Sequence, residues 1–320
     1  MSTGTEAGKG GKPRRGIGAR LARAWDSDVA WSYRHSPVAI VASIATAIIL
    51  LLALLAPWIA PQNAFDPGSV KLDDGFLRPM QRGGGGLLHV LGTDSQGRDI
   101  VSAILYGSRV SLLVGLASVG FSMAIGVTVG LMAGFIGGRT DAVIMRIADI
   151  QLSFPAILIA LLVFGVARGF IHPSKHEQMA VVVLIVAIGL SHWAQYARTV
   201  RSSTLVEKNK EYVQAARVMG RGPFAIMGEH VFPNVLGPVL VIATINLALA
   251  VIEEATLSFL GAGVPPTQPS LGTLIRVGQQ FLFSGEWWIL LFPSLALIVL
   301  ALSINLLGDW LRDALNPRLK

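Results

Sequence analysis

The chain has 320 residues, of which 52% are hydrophobic and only 14% are charged, and its mean hydropathy is +0.60. Soluble domains carry about 25% charged residues, so the composition excludes an ordinary soluble protein and indicates a membrane protein. The net charge of +7 is typical of a membrane protein with basic cytoplasmic loops. The sequence has no basic patch with interleaved aromatic residues, so it does not indicate nucleic-acid binding. The absence of cysteine excludes disulfides, Fe–S clusters and cysteine-ligated zinc.

The first 36 residues are polar and predict a tail outside the membrane, with the pattern of a short amphipathic helix at the membrane surface from about Ile17 to Trp31. Residues 38–60 form the first predicted span, because about 18 consecutive apolar residues suffice to cross a bilayer. This run is longer than the apolar core of a signal peptide and follows a long polar segment, so we expect an uncleaved anchor.

Five further apolar stretches follow in chain order. They predict spans at 110–136, 142–166, 179–200, 233–260 and 287–307, with Pro155 as a kink in the third. The sequence therefore predicts an all-α, polytopic bundle of six transmembrane helices. This membrane domain covers residues 37–310, with a loop at 61–108, a second polar connection at 201–232, and tails at 1–36 and 311–320.

The distribution of basic residues predicts the orientation of the six spans. An even number of spans places both termini on the same side. With a cytoplasmic amino terminus, the inner segments hold 17 Lys and Arg residues and the outer segments hold 7. Because cytoplasmic loops collect Lys and Arg, we expect both termini and segment 201–232 in the cytoplasm and loop 61–108 outside.

Three glycines in the second span repeat at intervals of four residues, at Gly126, Gly130 and Gly134. This spacing places them on one helix face, where a neighbouring backbone can approach closely. Helix packing is the favoured interpretation, and a direct contact with a transported molecule is the alternative.

Segment 201–232 is unusual in so apolar a chain, because it carries eight charged side chains. We expect Asn209 to cap a short helix that ends at Gly220 in a left-handed conformation. Gly222 and Pro223 are expected to begin a second short helix, and Pro233 to separate it from the fifth span. Immersing these charges would cost about 2.5–3.5 kcal/mol each near the bilayer centre, so the segment is expected to remain in water or against another protein.

The first of these short helices carries the pattern of a docking surface. Ala215 and Ala216 are small and allow a close approach to a groove, and Tyr212 and Met219 lie two helical turns apart as flanking anchors. The alternative is an ordinary solvated loop, and the residue pattern alone does not decide between them.

The same segment resembles the cytoplasmic EAA motif of permease subunits in ATP-binding cassette (ABC) importers. Gln214, Ala215 and Ala216, then Gly220, then His230, Phe232 and Pro233 have the spacing of that motif, with departures at Gln214, His230 and Phe232. From about residue 37 onward the chain is similar to the C-type permease of dipeptide/oligopeptide transporters. The segments that carry this resemblance are 91–109, 145–155, 253–266 and 308–318.

The resemblance implies a type I importer permease of MetI-like fold in the inner membrane of a bacterium. It implies a heterodimer with a second homologous permease, the two being surrounded by membrane lipid. It also implies contact through the EAA-type coupling helix with two ATPase subunits or one ATPase homodimer, and an extracytoplasmic substrate-binding protein. ATP and Mg²⁺ would be bound by the ATPase subunits, because this chain has no G-x-x-x-x-G-K-[ST] motif. We expect no cofactor, no metal and no catalytic residues on this chain.

Polar residues in the fifth span are the candidates for a substrate path. Asn246, Glu253 and Glu254 lie in its second half, where a carboxylate would attract the amino group of a peptide, and structural pairing is the alternative. His172 and His176 are too few for a metal site. Nickel or opine-like cargo within the same family, an ion-driven secondary transporter and a membrane scaffold remain alternative functions.

Overall fold

The computed structural model describes residues 28–64, 66–268 and 270–314. A two-stranded antiparallel hairpin, β1 Gln81–Arg82 with β2 Leu88–His89, lies in the long loop, and the remaining elements are helical. The helices are α1 Asp28–Arg34, α2 Pro37–Ile59, α3 Ile100–Ile136, α4 Gly138–Leu152, α5 Ala156–Phe170, α6 His176–Glu207, α7 Glu211–Val218, α8 Pro223–Ile226, α9 Phe232–Phe259, α10 Leu271–Phe281 and α11 Trp288–Ala314. Most of the amino-terminal amphipathic helix and of the carboxyl-terminal tail expected from the sequence lies outside the described residues.

The third predicted span is two helices. The helices α4 and α5 meet at an angle of 98°, and each is 15 residues long. A helix of that length reaches about 22 Å, which is less than the roughly 30 Å hydrocarbon core of a bilayer. The expected kink at Pro155 is present as a complete break: α4 ends at Leu152 and Pro155 is the residue before α5, since proline lacks the N–H that a continuing helix would use.

The packing of α3 against α6 shows that this bent pair crosses the bundle. Ser122 on α3 donates a hydrogen bond to the carbonyl of Gly189 at 2.8 Å, and twelve residues later Gly134 lies against Thr204. The two helices therefore run in the same direction, so the chain must return between them. It returns along α4 and α5.

Contacts of the bent pair with α6 run in the opposite direction. Asp141, near the start of α4, accepts a hydrogen bond from Arg201 Nη2 at 2.6 Å, and Gln151 Nε2, near its end, donates to the carbonyl of Leu190 at 2.6 Å. The bent pair is thus one crossing. With the five helices that are long and apolar enough to span alone, the predicted bundle of six crossings is confirmed.

Close contact between α3 and α6 occurs at the three spaced glycines. A methyl group at Gly126 would lie 2.4 Å from Cβ of Tyr196 and 2.5 Å from the carbonyl oxygen of Trp193. At Gly130 it would lie 2.6 Å from the carbonyl oxygen of Ala197. Side chains larger than hydrogen at these positions would separate the two backbones, which now touch directly.

The bundle has two distinct ends. The end that holds residues 61–99 is called the loop end; Trp288 at the start of α11 donates to the carbonyl of Thr93 there at 3.2 Å. The opposite end, which holds residues 208–231, is called the elbow end. Tyr33 and Trp310 meet edge to face, with ring centroids 5.2 Å apart, where α1 lies beside the last turns of α11. Both described ends of the chain therefore lie at the elbow end.

Replacing Gly126 by alanine is expected to destabilise the bundle by about 1–3 kcal/mol, the usual cost of overpacking. Thermal unfolding of the purified protein in detergent measures the change. Gly120→Ala is the matched control, because Gly120 lies in the same helix and has no atom within 4 Å of the added methyl; there alanine should be neutral or stabilise by up to about 1 kcal/mol. Equal midpoints for the two variants would contradict the close contact.

Candidate functional site

The elbow segment, residues 208–231, begins with the short helix α7. The residue before α7 is Lys210, which makes no side-chain capping bond, whereas Asn209 donates from Nδ2 to the carbonyl of Leu205 at 2.9 Å. The prediction of Asn209 as the cap is therefore wrong, because its amide is used by the end of α6.

The end of α7 has the geometry that the sequence predicts. Gly220 has φ of +78°, which favours glycine. Its N–H donates to the carbonyl of Arg217 at 3.0 Å, and the N–H of Arg221 donates to the carbonyl of Ala216 at 3.1 Å. These two bonds form a Schellman motif, which satisfies the last carbonyls of the helix and turns the chain sharply.

The second short helix joins the fifth span without a break. Gly222 precedes α8 and Pro223 is its first residue, as predicted. A single π-helical turn, Met227–Val231, then leads directly into α9. The expected separation at Pro233 is wrong: the proline lies in the first turn of α9, where a missing N–H is tolerated, and the wider turn comes immediately before it.

The inner face of α7 is fixed to the bundle by apolar packing. Val213 and Ala216 are fully buried. They belong to one cluster that contains residues of α3, α6 and α9, namely Val127, Leu131, Tyr196, Val200, Val235 and Val239. Ala216 therefore faces the core of its own chain, which corrects its assignment to an outward docking surface; small size at this position lets α7 approach the bundle closely.

The outer face of the elbow carries exposed apolar side chains. Val218 is 89% exposed, Phe224 76% and Met219 74%, and Ala215 is exposed beside them in sequence. The sequence pattern selects Met219 and Ala215 but not Val218 and Phe224, because only the burial pattern shows which side of so short a helix faces outward. We call Ala215, Val218, Met219 and Phe224 the elbow face.

Tyr212 and Gln214 form hydrogen bonds between α7 and the end of α6. The hydroxyl of Tyr212 donates to the carboxylate of Glu207 and lies 3.2 Å from Nδ2 of Asn234. Desolvation raises the pKa of Tyr212 to about 12, and the hydrogen bond and negative charge of Glu207 act in the same direction. The phenol therefore stays protonated at neutral pH. Gln214 donates from Nε2 to the carbonyl of Lys208 at 3.4 Å.

The three polar residues of the candidate substrate path differ in their hydrogen-bond partners and in their exposure. Glu254 is fully buried and accepts hydrogen bonds from Ser111 at 2.6 Å and Ser258 at 2.7 Å. Ser111 also accepts from the N–H of Leu271 at 3.3 Å. Glu254 thus joins α3, α9 and α10 as a structural hydrogen-bond centre.

Glu253 and Asn246 complete that set. Nε2 of His192 on α6 lies 2.9 Å from Oε2 of Glu253, whose side chain is 14% exposed. Asn246 is 2% exposed. Among the three residues, Glu253 alone has a partly exposed side chain that a passing molecule can touch.

The two histidines at the loop end have contacts of their own. Nε2 of His176 donates to the carbonyls of Ile171 at 2.8 Å and Arg168 at 3.0 Å, and His172 Nδ1 lies 2.9 Å from Oγ of Ser174. Throughout the described ranges no three His, Asp or Glu side chains are grouped as a metal site would need.

Comparison with known proteins identifies the family of the chain. Residues 126–320 match the family described as "binding-protein-dependent transport system inner membrane component", and residues 24–74 match the "N-terminal TM domain of oligopeptide transport permease C".

Two relatives cover nearly the whole chain. The dipeptide transport system permease protein DppC of Escherichia coli strain K12 is 40% identical over 294 residues, which is 91% of this chain and 92% of that protein. The di/tripeptide transport system permease protein DppC of Pseudomonas aeruginosa strain UCBPP-PA14 is 36% identical over 290 residues, 90% of this chain and 91% of that protein.

Among solved structures, an inward-facing conformation of the MetNI methionine ABC transporter aligns with a TM-score of 0.52 at 22% identity, over 67% of this chain and 96% of that one. This likeness confirms the predicted MetI-like fold.

Glu254→Ala is expected to lower the free energy of unfolding by about 2–4 kcal/mol, because it leaves two buried hydroxyl groups without their acceptor and opens a void. Glu253→Ala, at the adjacent position, should cost less, since that side chain is partly exposed and has one partner. Thermal unfolding of both variants in detergent tests the ordering. A larger loss for Glu253→Ala would contradict the structural role of Glu254.

Proposed function

The chain belongs to the family of binding-protein-dependent transport system inner membrane components, so it is a membrane-embedded permease subunit of an ABC importer and not an enzyme, and we propose that its cargo is small peptides. The main support is the similarity to permeases named for dipeptides and di/tripeptides along about nine tenths of the chain. The resemblance of four separate segments to C-type peptide permeases agrees with it. Nickel or opine-like compounds are the alternative cargo, and an ion-driven transporter would need no ATPase partner.

The cargo is tested with the assembled importer in liposomes that enclose ATP, with its binding protein outside. We expect uptake of a radiolabelled dipeptide that depends on internal ATP and is displaced by other unlabelled dipeptides. Nickel ions should neither be taken up nor compete. Uptake of nickel but not of the dipeptide would reassign the cargo, and dipeptide uptake by this chain alone, driven by an ion gradient, would contradict the ABC mechanism.

We propose further that the elbow face docks on an ATPase subunit. Four exposed apolar or small side chains on a polar segment support this proposal, since such a patch on a water-facing surface commonly marks a protein interface. The opposite face of α7 is buried in the bundle, so movement of the docked partner would be passed to α3, α6 and α9.

A second homologous permease would complete the pathway, and two ATPase subunits or one homodimer would bind ATP and Mg²⁺. The binding protein would approach the loop end.

Val218→Asp and Met219→Asp are expected to reduce stimulation of ATP hydrolysis by loaded binding protein at least tenfold. A carboxylate would have to be desolvated in an apolar contact, whereas the isolated chain should unfold at the same temperature as the wild type because both side chains are exposed. Val206→Asp is the matched control: Val206 is 64% exposed near the end of α6 but lies outside the elbow face. Undiminished stimulation in both elbow variants, or an equal loss in the control, would contradict the docking role.

We also propose that the elbow end is cytoplasmic and that both termini lie there. The excess of Lys and Arg in the segments at this end supports the orientation. Because the chain has no cysteine, single cysteines report their side without background. A membrane-impermeant maleimide applied to spheroplasts should label Gly84→Cys in the outer loop and leave Gly222→Cys unlabelled. Labelling of Gly222→Cys in sealed cells would reverse the orientation.

A further inference from the structure

A cavity at the loop end lies between the turn that joins α5 to α6 and the loop after α9. Its volume is about 310 Å³. Its lining includes Phe164, Arg168, His176, Glu177, Gly261 and Arg276. The size is enough for one charged headgroup, and the charged side chains of the mostly apolar lining are two arginines and one glutamate.

Neither arginine of this cavity has a carboxylate partner among the residues that the structure describes. By contrast, Arg98, Arg198, Arg201 and Arg221 each form an ion pair within 4.0 Å. The carboxylate of Glu177, in the cavity wall, accepts a hydrogen bond from Thr267 instead. With a neutral His176, two guanidinium groups and one carboxylate give the lining a formal charge of +1.

Each guanidinium group lies against a residue of the bundle. That of Arg168 lies 5.7 Å from the ring centroid of Phe164, a buried side chain, in a cation–π contact. The guanidinium of Arg276 fills the space above Gly261, where an added methyl would lie 2.6 Å from Nη1. Gly261 also has φ of +83°, and this backbone conformation favours glycine.

A simpler role for the arginines is to lie near the negative carboxyl ends of α5 and α9, which both finish here. That role accounts for one cation beside each helix end, but it requires no cavity between them. The amino end of α6 lines the same cavity, and its partial positive charge offsets part of the partial negative charge of those two carboxyl ends. The arrangement is therefore suited to an oxyanion, and guanidinium groups bind carboxylate and phosphate through paired hydrogen bonds.

Large exposed apolar side chains at the ends of α5 and α9 point to an amphiphilic ligand. Phe170, two residues beyond Arg168, is 88% exposed, and Leu260, immediately before Gly261, is 60% exposed. Phe170 is the last residue of α5 and Leu260 follows the last residue of α9, so both lie at the ends of membrane-crossing segments, where acyl chains meet headgroups. We propose that this cavity binds the phosphate of an anionic phospholipid, with the acyl chains along the exposed ends of α5 and α9. The net charge of +1 complements the single negative charge of a phosphodiester headgroup such as phosphatidylglycerol.

The experiment titrates the assembled importer, purified in detergent, with phosphatidylglycerol or phosphatidylcholine and counts bound lipids by native mass spectrometry. Arg168→Gln with Arg276→Gln should weaken the tightest phosphatidylglycerol site at least tenfold and leave phosphatidylcholine binding unchanged. Both arginines are exposed, so glutamine should leave the fold intact, although Arg168→Gln loses the contact with the Phe164 ring; Arg276→Gln alone, with a smaller loss, serves if the double variant fails to assemble. Arg109→Gln is the matched control, because Arg109 is an exposed arginine at the same end, near the start of α3 but outside the cavity.

Unchanged phosphatidylglycerol affinity in the arginine variants would overturn the proposal, as would an equal loss in the Arg109 control. Displacement of the lipid by a dipeptide at its transport concentration would instead assign the cavity to the carboxylate of the cargo. The titration requires no transport, so its failure is distinguishable from failure of the proposed peptide function.

Discussion

Direct backbone contact between α3 and α6 is the constraint on which the other features depend. Gly126 and Gly130 allow the helices to approach so closely that a single methyl group would overlap backbone atoms of the partner helix. Because the two helices run in the same direction, the chain between them has to cross back, and it does so through the sharply bent α4 and α5. The contact also fixes the position of α6, whose end leads straight into the elbow segment.

The elbow segment is thereby built as part of the bundle and not as a flexible loop. Val213 and Ala216 pack into the same cluster as Val127 and Val200, which come from α3 and α6. The cluster extends to Val235 on α9, the helix that carries Glu253 and Glu254. A force on the elbow face would consequently reach the helices that surround the polar residues of the membrane domain. A well-packed interior transmits such displacements because it has little free volume.

Much of this architecture could be predicted from the sequence. The apolar runs gave the crossings, the glycine repeat gave a candidate packing face, and Gly220 with Gly222-Pro223 gave the two short helices of the elbow. These signals are local: each depends on residue types a few positions apart. The family resemblance supplied the fold and the partners, which local patterns alone left open.

The predictions that fall short depend on packing between residues that are far apart in the sequence. Proline was expected to kink the third span and to separate α8 from α9, but the surrounding packing decides whether the chain turns by 98° near Pro155 or continues past Pro233. The direction in which Ala216 faces depends on where α7 rests on the bundle. Likewise, Glu253 and Glu254 are neighbours in sequence, yet α3 and α10 enclose only Glu254, a difference that no periodicity distinguishes.

The central claim is that α7 keeps its inner face on the bundle while its outer face touches the ATPase. The most direct test introduces a single cysteine at Met219 of this otherwise cysteine-free chain, attaches a short photo-crosslinker and illuminates the assembled importer. Our account predicts a covalent product between this chain and an ATPase subunit, identified by mass spectrometry. A product formed only with lipid, with the second permease or with the binding protein would contradict it.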